Sequence, residues 1–134
     1  MKFNLEHSTG NMIRSYAAGE IHILLGRPQQ TGQPEPDMLT VKTSLILTAE
    51  QLIEDWIADS EELSSAHLDR LLATEPEIIV LGTGDRIRFP APVLLAQCHA
   101  AGVGIEVMDT GAACRTYNIL AAEGRKVCAA FTRV

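Results

Sequence analysis

The sequence predicts an α/β domain, because strand and helix patterns alternate through its C-terminal half. The uninterrupted apolar run Ile78-Ile79-Val80-Leu81 is typical of a strand covered on both faces. Strand patterns return at 103–108 and 127–131, and one helical pattern separates each pair of strands. Strands and helices alternating at this spacing pair in parallel through right-handed crossovers. We therefore predict two consecutive βαβ units, within a single soluble domain that spans residues 1–134.

Helix boundaries support this reading of the C-terminal half. Pro90 and Pro92 suit the start of the first helix, and Gly102 ends it. Asp109 or Thr110 can cap the second helix, which we expect to run to Gly124.

The N-terminal half reads as short strands. Residues 11–16 and 20–25 flank the small turn Ala17-Ala18-Gly19, which predicts a hairpin. Prolines, glycines and glutamines between positions 26 and 37 predict a loop. Apolar residues then share odd positions in a predicted third strand: Leu39, Val41, Leu45 and Leu47.

Two helices are predicted between these strands and the βαβ units. Thr48-Ala49-Glu50-Gln51 matches a capping box, and apolar residues then repeat at helical spacing. These residues are Leu52, Ile53, Trp56 and Ile57, with Trp56 interpreted as a core anchor. Ser64 or Ser65 is predicted to cap a second, short helix.

Composition excludes several classes of protein. The net charge of −6 argues against a nucleic-acid binder, which needs a basic face. No apolar run approaches the roughly 20 residues that span a bilayer, so direct membrane insertion is not expected. The N-terminus lacks the apolar stretch of a signal peptide, and three widely spaced cysteines suit a reducing compartment. We expect a cytoplasmic protein, whose acidic segment 50–77 forms a solvated helical face or docks a basic partner.

Polar residues follow two neighbouring strands of the predicted parallel sheet. They are Gly82-Thr83-Gly84-Asp85 and Met108-Asp109-Thr110. Ligand sites in parallel α/β sheets gather beyond the C-terminal strand ends, so these loops are candidate ligand-binding residues. Glycines let the backbone approach an anion closely, but the same glycines also suit a tight turn.

The segment Arg115-Thr116-Tyr117-Asn118 completes this candidate ligand-binding surface. Arg115 and Asn118 lie three apart on the predicted helix and therefore share one side. A guanidinium can bind a carboxylate or phosphate in two-point fashion. The alternative pairs Arg115 with Asp85, Asp109 or Glu123 inside the protein. Tyr117 and Asn118 need hydrogen-bond partners when buried, whatever the function.

The sequence carries no recognisable catalytic, cofactor-binding or metal-binding motif. Cys114 lies near the start of a helix, where the dipole lowers a thiol pKa, but no histidine adjoins it. A buried, inert thiol is the simpler interpretation. The chain lacks a GxSxG elbow, a GxxxxGK[ST] loop and an HExxH motif. We therefore predict no catalytic residues, no cofactor and no metal, which favours a non-enzymatic protein.

Several motifs, taken in order, resemble one family of small domains. They are Val80-Leu81-Gly82-Thr83-Gly84, Val107-Met108-Asp109-Thr110, Arg115-Thr116-Tyr117-Asn118-Ile119-Leu120, Glu123-Gly124-Arg125 and Val127-Cys128-Ala129-Ala130, with Ile13, Tyr16, Gly19, Ile21 and Trp56 matching more faintly. The family is of uncharacterised function, and it includes the third numbered assembly factor of mitochondrial complex I (NADH dehydrogenase) and adipogenesis-associated domain proteins. The resemblance implies a three-layer α/β domain with a mixed central sheet and a smaller β hairpin layer. It also implies protein interaction rather than catalysis.

Two hypotheses of function follow. The first is a non-enzymatic interaction or assembly protein, whose protein partner belongs to a membrane or respiratory complex. The second is a binding protein for a small anionic ligand, or an unrecognised enzyme, that uses the surface of residues 82–85, 108–110 and 115–118, with Arg115 holding the anion. An open pocket with an unpaired Arg115 favours the second hypothesis, and an Arg115 sealed against an acidic neighbour favours the first. If Arg115 and Asn118 are buried and satisfied by the backbone, the motif is instead a folding device.

Overall fold

The computed structural model describes residues 10–26 and 37–134. Eight strands and three helices lie in these two ranges. In chain order they are β1 (Met12–Ala17), β2 (Glu20–Leu24), β3 (Met38–Val41), β4 (Leu45–Leu47), β5 (Leu52–Glu54), α1 (Ser65–Leu72), β6 (Ile78–Thr83), α2 (Pro92–Ala100), β7 (Gly104–Met108), α3 (Thr110–Ala122) and β8 (Val127–Arg133).

A five-stranded mixed sheet forms the middle of the fold, in the order β5-β4-β8-β6-β7. Strand β6 pairs in parallel with β7 and β8, whereas β4 pairs antiparallel with β5 and β8. Apolar residues of α1 and α2 pack with one set of its side chains, including Ile79 and Leu81. The alternate residue Val80 joins α3 and the antiparallel sheet β1-β2-β3 in a second cluster. The predicted three-layer α/β architecture is therefore confirmed.

The C-terminal half follows the sequence prediction closely. Helices α2 and α3 connect parallel strands, and α1 begins after the cap Ser64. Asp109 caps α3 by accepting a hydrogen bond from the Ala112 amide at 2.8 Å. The backbone turns through positive φ at Gly102 and Gly124, where a side chain would be strained. No described helix has both the length and the apolar character needed to cross a bilayer.

The predicted third strand is wrong as a single element. Its residues divide between β3, in the smaller sheet, and β4, in the central sheet. Exposed residues Lys42 and Thr43 separate the two strands. Apolar residues at odd positions predicted one strand with one buried face. However, the chain passes from the smaller sheet to the central sheet between Val41 and Leu45. The predicted loop at 26–37 lies outside the described residues, except at its ends.

The helix predicted after Thr48 is also wrong. The Thr48 hydroxyl does accept hydrogen bonds from the amides of Glu50 and Gln51, at 3.3 and 3.0 Å. However, the Thr48 amide donates to the Gln51 carbonyl at 2.9 Å, which closes a turn between β4 and β5. A threonine side chain can satisfy the same amides in a turn as in a helix cap. The short apolar run that follows is compatible with either structure, and pairing with β4 decides for a strand.

Trp56 is nevertheless a core anchor, as predicted. Its side chain is 4% exposed, and its indole N–H donates to the Phe131 carbonyl at 3.1 Å. The Arg70 guanidinium donates to the Trp56 carbonyl at 3.2 Å. The acidic residues around it are exposed as expected, but most lie on β5 and loops rather than on a helical face.

Candidate functional site

The two loops that follow β6 and β7 meet at the edge of the central sheet, as their topology predicts. The Thr110 amide donates to the Gly84 carbonyl at 2.8 Å. In return, the Gly84 amide donates to the Thr110 hydroxyl at 2.9 Å. The polar groups of the two loops are therefore directed at each other, and these amides are not available to an anion.

Two buried threonine hydroxyls hold this edge together. Thr110 donates to the Arg133 carbonyl at 2.7 Å, which ties the end of β8 to the start of α3. Thr83 lies 2.7 Å from the Arg86 carbonyl and accepts a hydrogen bond from the Arg88 amide at 2.9 Å. Its hydroxyl is also 3.2 Å from the Met108 carbonyl. Each hydroxyl thus serves the fold by joining neighbouring strands and loops.

Gly82 permits close packing of α3 on the sheet. A Cβ at this position would lie 2.8 Å from the Phe131 ring and 3.0 Å from the Ala113 methyl group. Gly84 has a φ of +98°, a conformation that L side chains rarely adopt. The interpretation of these glycines as turn and packing residues accounts for both. Asp85, next in the chain, is exposed, and Met108 packs against the core.

The Asn118 side chain forms hydrogen bonds with both the backbone amide and the backbone carbonyl of one β1 residue. Its side-chain amide donates to the Ile13 carbonyl at 2.7 Å, and its oxygen accepts from the Ile13 amide at 2.9 Å. A primary amide can imitate one residue of a neighbouring strand in this way, because it carries both a donor and an acceptor. The β1–β2 register is irregular between Ile13 and Ser15, next to this contact. Asn118 therefore joins α3 to the smaller sheet.

Tyr117 makes a second link between the same elements. The side chain is fully buried, and its hydroxyl donates to the Asn11 carbonyl at 2.8 Å. Burial raises the pKa of this hydroxyl, so it stays protonated through the physiological range. Thr116, between Arg115 and Tyr117, is partly buried. Tyr117 and Asn118 are thus fold determinants of the α3–β1 contact.

Arg115 differs from its neighbours, because its side chain is exposed. One guanidinium nitrogen donates to the Tyr16 hydroxyl at 3.1 Å. Tyr16 in turn lies against Gly111, where its hydroxyl occupies the space that a Cβ would need. The predicted alternatives, pairing with Asp85, Asp109 or Glu123, are not formed. Across residues 10–26 and 37–134, no carboxylate lies within 4.0 Å of this guanidinium.

The three cysteines are buried and reduced. Burial raises the pKa of the Cys114 thiol to about 12, and the opposing effect of the adjacent Arg115 charge is smaller. Burial likewise raises the pKa of Cys128 to about 11. The proximity of Cys114 to the helix start therefore does not activate it. In the part of the chain that the structure describes, no cluster of His, Cys, Asp or Glu could hold a metal ion.

A depression of about 470 Å³ is lined by none of these candidate residues, although Arg133, which accepts the Thr110 hydrogen bond, lies in its wall. Its charged lining residues are Lys42, Asp55, Asp59 and Arg133, two of each sign. The Arg133 guanidinium donates to the Asp59 carbonyl at 3.0 Å. Because the lining charges balance, this depression does not select for an ion of either sign.

Sequence reasoning missed two exposed apolar features. Ile119 is 60% exposed and lies one turn after Arg115 on α3, so both residues share the outer side of the helix with Tyr16 nearby. Beyond β6, Ile87, Phe89 and Val93 are 50%, 73% and 70% exposed. For the second of these features, the signal in the sequence was the alternation of cations and apolar residues in Arg86-Ile87-Arg88-Phe89. This segment lies outside the predicted strands and helices, so no predicted core accounts for its apolar residues.

Comparison with known proteins finds relatives that include a bacterial membrane protein and eukaryotic assembly factors. The chain is 42% identical over 85 residues to the 13 kDa major membrane protein of Francisella tularensis, covering 62% of this chain and 69% of that protein. It is 43% identical over 68 residues to NADH dehydrogenase [ubiquinone] 1 alpha subcomplex assembly factor 3 of Xenopus tropicalis. That match covers 51% of this chain but only 37% of the assembly factor.

A solved structure agrees with the fold over almost the whole chain. The NMR structure of a Xanthomonas campestris protein superposes with a TM-score of 0.73 at 35% identity. It covers 92% of this chain and 84% of that protein. A family described as "protein of unknown function (DUF498/DUF598)" matches residues 13–132. This match takes in both sheets, the Asn118 contact with β1 and the surface around Arg115, and the chain therefore belongs to that family.

Proposed function

We propose that this chain is a non-enzymatic protein-binding domain that helps to assemble a membrane-bound protein complex. The relatives named as NADH dehydrogenase assembly factors support such a role, and a respiratory complex is the natural candidate. The relative named as a major membrane protein supports a place of action at a membrane. We propose that the domain acts on the cytoplasmic side of that membrane.

The observation that carries this proposal is the outer side of α3. We call Tyr16, Arg115 and Ile119 the α3 outer surface. Tyr16 is 44% exposed and Ile119 is 60% exposed, with the Arg115 guanidinium held by the Tyr16 hydroxyl. Tyrosine and arginine are enriched in the residues that dominate protein–protein binding energy. A cation fixed beside two apolar side chains is suited to an acidic residue flanked by apolar groups.

The rest of the segment fixes this surface in place. Asn118 and Tyr117 join α3 to β1, the strand that carries Tyr16. Arg115 and Tyr16 are therefore held on two elements whose separation is set by buried hydrogen bonds. A preorganised surface of this kind loses less conformational entropy on binding than a flexible one. The buried residues Tyr117 and Asn118 thus hold the exposed Arg115 in position.

Affinity capture from native lysate tests the proposal. Tagged wild-type protein is compared with Arg115→Ala and Ile119→Ser, and captured proteins are identified by mass spectrometry. We expect a stoichiometric component of a membrane complex with wild type, and its loss with both variants. Arg125→Ala is the matched control, since Arg125 is an exposed arginine beyond the end of α3 that pairs with Glu77. Capture that is absent with wild type, or equal in all variants, would contradict the proposal.

A small anionic ligand at Arg115 is the second candidate, favoured by the lack of a carboxylate partner in the described chain. Phosphate, citrate and a short acidic peptide distinguish the two functions when titrated into isotope-labelled protein. Saturable shifts of the Arg115 side-chain resonance and of neighbouring backbone amides with phosphate or citrate would favour a small ligand, provided that the backbone shifts are lost in Arg115→Gln. Shifts with the peptide alone, extending to Ile119, would favour the protein-binding role.

A further inference from the structure

A second exposed surface lies beyond β6, in residues 86–93, which we call the 86–93 segment. It contains two exposed arginines, Arg86 and Arg88, that alternate with apolar side chains. Phe89 is 73% exposed and Val93 is 70% exposed, which places large apolar groups in solvent. Large exposed apolar patches mark sites that bind proteins or membranes.

Both arginines lack a side-chain partner in the part of the chain that the structure describes. Within residues 10–26 and 37–134, neither guanidinium makes a hydrogen bond or an ion pair. Their backbones, by contrast, are fixed, because the buried Thr83 hydroxyl contacts the Arg86 carbonyl and the Arg88 amide. The segment therefore presents its cations from a tethered backbone.

The apolar side chains are likewise held outward by local structure. Pro92 begins α2, whose cap residue Ala91 makes no side-chain hydrogen bond. Val93 is thus placed in the first turn of α2, while Leu94 beside it is buried in the core. Leu94 anchors one end and Thr83 the other, and Ile87, Phe89 and Val93 are each exposed between them.

We propose that the 86–93 segment binds the surface of an anionic phospholipid bilayer. Cations beside exposed aromatic and aliphatic groups match that interface, where phosphates lie above the acyl chains. Charge complementarity favours this occupant, because Arg86 and Arg88 have no carboxylate partner within the described residues and lipid phosphates can supply one. The net charge of −6 opposes adsorption of the molecule as a whole, so binding depends on this segment and weakens with salt.

Vesicle co-sedimentation of the full chain tests this proposal. Phosphatidylcholine vesicles are compared with vesicles of roughly three parts phosphatidylcholine to one part phosphatidylglycerol, a charge density typical of an anionic leaflet. We expect binding to the mixed vesicles and little to phosphatidylcholine alone. Replacing both arginines, as Arg86→Gln with Arg88→Gln, should weaken binding by about tenfold or more, since each cation near the surface contributes roughly fivefold. Phe89→Ser should weaken it by roughly tenfold through lost apolar contact.

Matched controls lie elsewhere on the molecule. Lys126→Gln removes an exposed cation that precedes β8, at the opposite edge of the parallel strands. Ile119→Ser removes an apolar side chain of comparable exposure from the α3 outer surface. Neither should change vesicle binding. The same two sets of variants, used in protein capture, separate failure of this proposal from failure of the protein-binding function.

Fluorescence supplies a second measurement that does not depend on loss of binding. The chain has one tryptophan, Trp56, which is buried, so Phe89→Trp adds an exposed reporter. Mixed vesicles should shift its emission to the blue, and lipids brominated on their acyl chains should quench it. An unchanged spectrum, or equal sedimentation of all variants, would overturn the proposal. So would loss of a captured protein in Phe89→Ser without any vesicle binding by wild type.

Discussion

The two sides of α3 differ in how completely the fold uses their polar groups. On the inner side, Tyr117 and Asn118 make three hydrogen bonds to the backbone of residues 11 and 13. On the outer side, the one hydrogen-bond partner of Arg115 within residues 10–26 and 37–134 is the Tyr16 hydroxyl, and Ile119 is 60% exposed. One continuous motif thus serves two purposes. Its inner half determines the structure, and its outer half is available to a partner.

The largest effect should come from breaking the inner side. Asn118→Ala leaves the Ile13 amide and carbonyl without their partners, and we expect it to lower the free energy of unfolding by about 3 kcal/mol. Urea denaturation measures this. Gln97→Ala is the control, because the Gln97 amide bonds exposed side chains on α1 and should matter far less. Equal destabilisation by the two variants would show that the β1 contact is no more than a surface bond.

The second-largest loss of stability should come from alkaline pH, which acts on a buried thiol of α3. The pKa of the Cys114 thiol is raised by burial from 9.0 to about 12 in the folded protein, so the unfolded chain ionises first. The stabilising contribution is complete below pH 9 and is lost as pH rises from about 9 to about 12. Urea midpoints measured across this window should therefore fall. In Cys114→Ala the fall should be shallower, and an unchanged slope would show that the thiol does not contribute.

The smallest effect on stability should come from the outer side. Arg115→Gln removes an exposed charge and one hydrogen bond, and we expect the free energy of unfolding to change by less than about 0.5 kcal/mol. Chemical denaturation alongside Asn118→Ala gives the comparison directly. Loss of stability close to that of Asn118→Ala would make Arg115 a structural residue and remove the contrast between the two sides.

Prediction from the sequence succeeded where a local pattern of residues is compatible with only one type of secondary structure. The apolar run 78–81 is too short for a helix between its flanking breakers, and it forms β6. Asp109 or Thr110, before an alanine-rich stretch, was predicted to cap a helix, and Asp109 caps α3. It failed after Thr48 and at the odd-numbered apolar residues of 39–47, where two structures satisfy the same pattern. Pairing of β5 with β4 decides the first case, and pairing of β3 with β2 and of β4 with β8 decides the second.

For the candidate site, too, the sequence predicted the proximity of its loops but not which polar groups are free to bind. Gly82, Thr83, Gly84 and Thr110 were chosen because strand ends converge, and the structure does bring their loops together. Sequence could not show that these groups satisfy one another, because that depends on distances set by packing. Nor could it separate Arg115 from Asn118, three residues away on the same helix.

By itself, the sequence determined the C-terminal βαβ units and the family, since apolar runs, helix caps and motif order are local properties of the chain. Only the tertiary structure decided which polar residues remain free. Asn118 is committed because β1 happens to lie within hydrogen-bonding distance, and Arg115 is free of carboxylates because none in the described chain reaches it. Whether a side chain is available for binding depends on its neighbours in the folded protein. Those neighbours are brought together by contacts between residues more than 90 positions apart in the sequence, such as Ile13 and Asn118, which are 105 positions apart.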